Sequence, residues 1–188
     1  MSSLARATQS LEREGKTCEI LISEERVLAR VAELGREITR DYQGRDLDIV
    51  GVLKGCALFM SDLIRSIDLP LACDYLRVSS YDGGTESRGV VRFDLDVSQP
   101  VTGKHVLLVE DIIDTGLTMS YLLENLRTRH PASLAVCALL HKPARTIKPV
   151  PIDYLGFTIE NHFVVGYGLD YAGRYRNLRH IAKLEDIA

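Results

Sequence analysis

The stretch Val106-Leu107-Leu108-Val109-Glu110-Asp111-Ile112-Ile113-Asp114-Thr115-Gly116-Leu117-Thr118 decides the reading of this sequence. Four residues that favour a buried strand run directly into two adjacent carboxylates. This is the carboxyl end of a strand, where open α/β sheets place their ligands. A Thr-Gly-x-Thr loop follows, and Leu122, Leu123 and Leu126 then recur at helical spacing. At such a strand–loop–helix junction the loop amides, the hydroxyls and the positive end of the helix dipole together hold a phosphate. Gly116 allows the backbone to approach an anion closely. Singly, Asp, Thr and Gly are ordinary turn and capping residues. In combination, the acids would repel a phosphate unless they had other partners, and sugar hydroxyls and a magnesium ion supply those.

Outward from this segment, strands alternate with helices. Ile20 to Ile22 reads as a short strand. Ser23 caps a helix from about Glu24 to Tyr42, whose stripe is Val27, Val31, Leu34 and Ile38. Leu47 to Leu53 is apolar enough for a strand covered on both faces. Cys56 to Ile67 is helical, with Phe59, Leu63 and Ile67 on one side and Pro70 beyond the end. Cys73 to Val78 forms a strand leading into Ser79 to Gly89, a polar stretch with three glycines that reads as a mobile loop. Val91 to Val97 alternates as a strand wet on one side. Leu134 to Leu140, Ile152 to Phe157 and Phe163 to Val165 complete the strands. The alternation predicts an α/β fold with a mostly parallel sheet and right-handed crossovers.

The chain has 188 residues, with 23 Lys and Arg against 26 Asp and Glu, so its net charge is −3. That length predicts one domain, and that charge offers no general attraction to nucleic acid or anionic lipid. No apolar stretch approaches a bilayer span, and the polar leader through Lys16 lacks the apolar centre of a signal peptide. A cytoplasmic protein with no nucleic-acid or membrane partner is expected. Cys18, Cys56, Cys73 and Cys137 lie too far apart for a metal knuckle or a redox pair, and buried reduced thiols are the favoured reading. The five histidines form no metal-ligand spacing and read as surface or capping residues.

Glu110 to Thr118 resembles the phosphoribosyl-pyrophosphate signature of type I phosphoribosyltransferases, in the form typical of the hypoxanthine-guanine enzymes. The resemblance runs from about Ile20 to Lys183. It implies a central, mostly parallel twisted sheet flanked by helices, with a hood from about 17–22 and 152–188 and a flexible hairpin lid over 79–89. It implies a purine salvage reaction between 5-phosphoribosyl 1-pyrophosphate and hypoxanthine or guanine, giving IMP or GMP with Mg2+ as cofactor. Glu110 and Asp111 would bind the ribose hydroxyls, with magnesium. Asp114, Thr115, Gly116, Leu117 and Thr118 would cradle the 5′-phosphate, Asp114 also serving as candidate general base at purine N7.

Lys54 and Gly55, after the first buried strand, match the pyrophosphate loop, which in the resembling enzymes often carries a non-proline cis peptide; Leu53–Lys54 is the bond to inspect for it, and the sequence does not decide it. Ser80 and Tyr81 on the lid, and Arg176, would also meet the pyrophosphate. A closed lid would exclude water from a carbocation-like intermediate. Lys142 would hydrogen-bond the oxygen at purine C6, Phe163 would stack on the base, and the Val164 backbone would read its edge. Asp170 would lie beside the base and help hold a second magnesium. Arg174, Arg179 and Lys183 read as a solvated basic face. The resemblance further implies a homodimer or homotetramer. Two other readings are a non-catalytic sensor of phosphoribosyl pyrophosphate, which would need an added nucleic-acid surface, and a receiver-like acidic pocket, which leaves Thr115 to Thr118 and the Phe163 segment unexplained.

Overall fold

A computed structural model describes residue 11 and residues 15–80 and 91–186. Most of the leader, Tyr81 and nearly all of the lid segment 79–89 lie outside the described residues. The elements are β1 (Lys16–Ile22), α1 (Glu24–Asp41), β2 (Leu47–Val52), α2 (Ala57–Ser66), β3 (Leu71–Ser80), β4 (Val91–Leu95), β5 (His105–Ile113), α3 (Leu117–Arg127), β6 (Ser133–His141), β7 (Tyr154–Thr158), β8 (Phe163–Val165) and β9 (Ile181–Asp186).

Helix α1 forms where its pattern predicts. The Ser23 hydroxyl accepts from the Arg26 amide, Glu24 and Glu25 sit in the first turn, and Val27, Val31, Leu34 and Ile38 are buried. Gly35 lies at its contact with α2, where an added Cβ would fall 2.4 Å from the Ser66 carbonyl oxygen. Six strands build the main sheet in the order β4-β3-β2-β5-β6-β7, parallel except for the antiparallel β3–β4 hairpin. Strand β5 is central, and its alternate side chains enter two cores. Leu107 and Val109 join the cluster under α1 and α2, whereas Val106 and Leu108 join the one under α3. Burial on both faces explains why β2 and β5 read as continuous apolar runs.

Strand β5 extends further than Val106–Val109. Glu110, Ile112 and Ile113 continue the ladder against Ala138, Leu140 and His141 of β6. The carboxylates are thus held within a paired strand.

The second sheet has the order β1-β9-β8 and takes residues 16–22, 163–165 and 181–186. Strand β7 pairs with β6 in the main sheet, which moves the start of the hood past the expected residue 152. Strand β9 was not foreseen, because its pattern is broken by Lys183, Glu185 and Asp186 and its pairing is with β1, at the other end of the chain. Lys183 is therefore no solvated lysine: it pairs with Glu19 and Glu185. Arg179 pairs with Glu24 but stays solvent-exposed, as expected. His180 is buried, against the surface role expected of it. Of the cysteines, Cys56 and Cys137 are buried, but Cys73 is exposed and Cys18 half-buried. No helix among the described residues is long and apolar enough to cross a membrane.

Leu107→Ala should cost about 2–5 kcal/mol in denaturant unfolding, the usual scale for a fully buried leucine, whereas the half-exposed Leu95→Ala should stay within about 1 kcal/mol.

Candidate active site

Three loops meet at the carboxyl ends of β2, β5 and β6. At the end of β5, Glu110 is buried to 9% exposure beside the half-buried Asp111. Burial, reinforced by the charge of Asp111, holds the Glu110 carboxyl well above the usual carboxylate range; burial raises Asp111 as well. Both side chains are at the site rather than lost in the core, since Glu110 lines a cavity of ≈ 90 Å³ with Asp114, Thr115, Gly116 and Thr118, and Asp111 faces the loop after β2.

The loop between β5 and α3 turns at Gly116, whose φ of 78° is left-handed, and a Cβ there would fall 2.0 Å from the Lys148 carbonyl oxygen. Among the described residues the amides of Thr115, Gly116, Thr118 and Met119 meet no protein acceptor. Only the Leu117 amide does, donating to Thr115 Oγ1 at 3.4 Å. A row of unclaimed N–H groups at a helix N-terminus is suited to an anion.

The loop after β2 carries a cis peptide at Leu53–Lys54, which the sequence left open, and Lys54 is exposed. Gly55 sits against Asp111 so closely that a Cβ would fall 1.6 Å from Oδ2. Gly168 in turn packs on Gly55, with its own added Cβ 2.1 Å from the Gly55 carbonyl oxygen. Arg176 closes this chain of contacts by donating to the Gly168 carbonyl at 2.6 Å and pairing with Asp170 at 2.6 Å. Residues far apart in sequence are thereby joined at the two acids.

Lys142, at the end of β6, is buried, and its amide donates to the Ile113 carbonyl at 3.0 Å. Burial pushes its ammonium below the usual lysine range, partly offset by the nearby Asp114. Phe163 is 53% exposed, with its ring edge-on to Tyr171 at 5.8 Å, so it is not a core phenylalanine. It lies with Val164 on β8, an edge strand, and one side of that strand's backbone is not committed to a ladder. No hydrogen bond or ion pair among the described residues joins β8 to the Asp114 loop. Ser80 ends β3, and Tyr81 lies outside the described residues.

Sequence reasoning missed Arg145. Its Nε donates to Asp114 Oδ1 at 3.1 Å across 31 residues, and no local pattern announces that pairing.

Magnesium is bound by one or two carboxylates together with waters and substrate oxygens. Glu110 and Asp111 have that chemistry, being adjacent, crowded and in need of a cation or hydroxyl donors. Among the described residues no three His, Cys, Asp or Glu side chains cluster as a metal cage. Asp170 fits a metal only once Arg176 releases it, because its other oxygen already accepts from the Gly173 amide at 2.7 Å.

A family model described as the phosphoribosyl transferase domain matches residues 19–172. The chain belongs to the phosphoribosyltransferase family. It is 50% identical to a hypoxanthine-guanine phosphoribosyltransferase of Mycobacterium avium over 172 residues, covering 88% of this chain and 85% of that one. It is 47% identical to a hypoxanthine phosphoribosyltransferase of Haemophilus influenzae, covering 88% and 94%. A crystal structure of a hypoxanthine phosphoribosyltransferase from Staphylococcus aureus superimposes with a TM-score of 0.85 at 47% identity, covering 89% and 91%. Membership of this family overturns the receiver-like reading of the acidic pocket.

Gly116→Ala should cost at least about 1 kcal/mol more in unfolding experiments than Gly44→Ala. Both positions have left-handed φ, but only at Gly116 would the added carbon strike the backbone.

Proposed function

We propose that this chain is a purine salvage enzyme that transfers the 5-phosphoribosyl group of 5-phosphoribosyl 1-pyrophosphate to N9 of hypoxanthine or guanine. The observation that carries the reading is that Glu110, crowded by Asp111 next to it, lines one cavity with a loop of unclaimed amides. A sugar phosphate answers both. Its hydroxyls donate to Glu110 and Asp111, while its 5′-phosphate accepts from the amides of Thr115, Gly116 and Thr118, beside Leu117.

In the reaction, N9 attacks C1′ as the C1′–oxygen bond to pyrophosphate breaks, and pyrophosphate departs with the electron pair. Asp114 takes or shares the proton at N7, leaving IMP or GMP. Positive charge developing on the ribose is stabilised by Glu110 and Asp111. Lys54 and Gly55, with Arg176 and the lid residues Ser80 and Tyr81, receive the pyrophosphate, and Arg176 leaves Asp170 to do so. Lys142 donates to the oxygen at purine C6, which favours 6-oxopurines over adenine. Phe163 stacks on the base, the Val164 backbone reads its edge, and Asp170 lies beside it. Magnesium, held at Glu110 and Asp111 with a second ion at Asp170, neutralises the leaving group when bound. We place the enzyme in the cytoplasm as a homodimer or homotetramer, on the family resemblance.

A spectrophotometric assay with phosphoribosyl pyrophosphate, magnesium and each purine tests this directly. Nucleotide should form with hypoxanthine or guanine and not with adenine, and binding without turnover would leave only a sensor. Asp114→Asn should lower turnover by about 10² to 10⁴, the usual scale of general-base loss, while phosphoribosyl-pyrophosphate binding persists. Unchanged turnover would remove Asp114 from that role.

A further inference from the structure

The segment after β6 holds Asp114 from three directions. Pro143–Arg145 is a single 3₁₀ turn in which the Arg145 amide donates to the Lys142 carbonyl at 3.0 Å. The proline sets the φ of its first residue. On one side of Asp114, the Lys142 amide donates to the Ile113 carbonyl at 3.0 Å. On the other, the Ile147 and Lys148 amides both donate to the Thr115 carbonyl, each at 3.0 Å. Between these anchors the Arg145 guanidinium reaches the side chain of Asp114 itself, Nε to Oδ1, at 3.1 Å. Among the described residues Asp114 Oδ2 has no partner.

We propose that Arg145 is a positioning residue for the phosphoribosyl transfer: by occupying Asp114 Oδ1 it fixes the carboxylate rotamer that presents Oδ2 to the purine. The inference rests on Asp114 acting at N7. A free aspartate side chain has two χ angles to order before it can reach a proton, and a catalytic carboxylate must be held within a fraction of an ångström of its working position. Arg145 supplies that order from a turn whose own ends are tied to the residues flanking Asp114. The pair is half-exposed, with side-chain exposures of 50% and 36%, so its contribution to global stability is small. Its effect is expected in the chemical step.

The test is a double-mutant cycle on the full chain, read as the single-turnover rate of nucleotide formation with saturating purine, phosphoribosyl pyrophosphate and magnesium. Single-turnover conditions keep product release out of the comparison. Arg145→Gln should slow this step by about 10- to 100-fold, the range for loss of a charged hydrogen bond. The KM for phosphoribosyl pyrophosphate and the melting temperature should remain unchanged, and Arg145→Lys should recover part of the rate. In the Asp114→Asn background, Arg145→Gln should add little further loss. Equal losses in both backgrounds, or a raised KM with the rate intact, would overturn the positioning role and leave the general-base reading standing. If Asp114→Asn alone leaves the rate unchanged, the general-base reading fails, and this one with it.

Discussion

Two carboxylates side by side at the end of a buried strand are the constraint around which the rest of this molecule is arranged. Glu110 is held by strand pairing to β6 and shielded from water, with Asp111 next to it. Burial raises the proton affinity of both, and the charge of Asp111 raises that of Glu110 further. The fold supplies a donor, the Ile112 amide to Asp111 Oδ1 at 2.9 Å, and a ligand's hydroxyls or a cation would ease the crowding further.

What surrounds the acids is built from close backbone approaches more than from side chains. Gly55 lies on Asp111, Gly168 lies on Gly55, and Arg176 is fastened to Gly168 and Asp170. This stack brings the loop after β2 and the C-terminal segment to one place without a bulky side chain between them. It also pairs Arg176 with Asp170. Binding of a pyrophosphate group with its counter-ion would exchange that internal pair for two external ones, a substitution of partners rather than the creation of new unpaired charge. On the opposite side of the acids, the carbonyl of Lys148 fills the space beside Gly116 and the amides of Ile147 and Lys148 clasp Thr115. Asp114, Thr115 and Gly116 are thus all held by one short segment, 145–148.

The fold was legible in the sequence wherever burial is periodic. The stripes of α1 and α2 and the apolar runs of β2, β5 and β6 all lie where their spacing puts them, because each is covered by a core whose geometry is that of the element itself. Legibility failed where the determining contact is remote. Strand β9 carries three charged residues and is a strand only because β1 and β8 pair with it, and β7 looked like part of the hood because nothing local says which sheet it joins. The same division holds at the site. Gly116 and the acids stand in one contiguous motif, whereas Lys142, Phe163, Asp170 and Arg176 could be singled out only through family resemblance. Arg145 had neither advantage, because an arginine beyond a proline reads as a solvated loop residue until its partner 31 positions away is seen.

Amide chemical shifts of the protein titrated with ribose 5-phosphate test the central claim most directly, since this ligand carries both the hydroxyls and the phosphate but neither purine nor pyrophosphate. If the sugar meets Glu110 and Asp111 while its phosphate takes up the unclaimed donors beyond them, the largest shifts will fall on the amides of Thr115, Gly116, Thr118 and Met119. Saturable binding that leaves those four amides unmoved, with the largest shifts elsewhere on the surface, would contradict it.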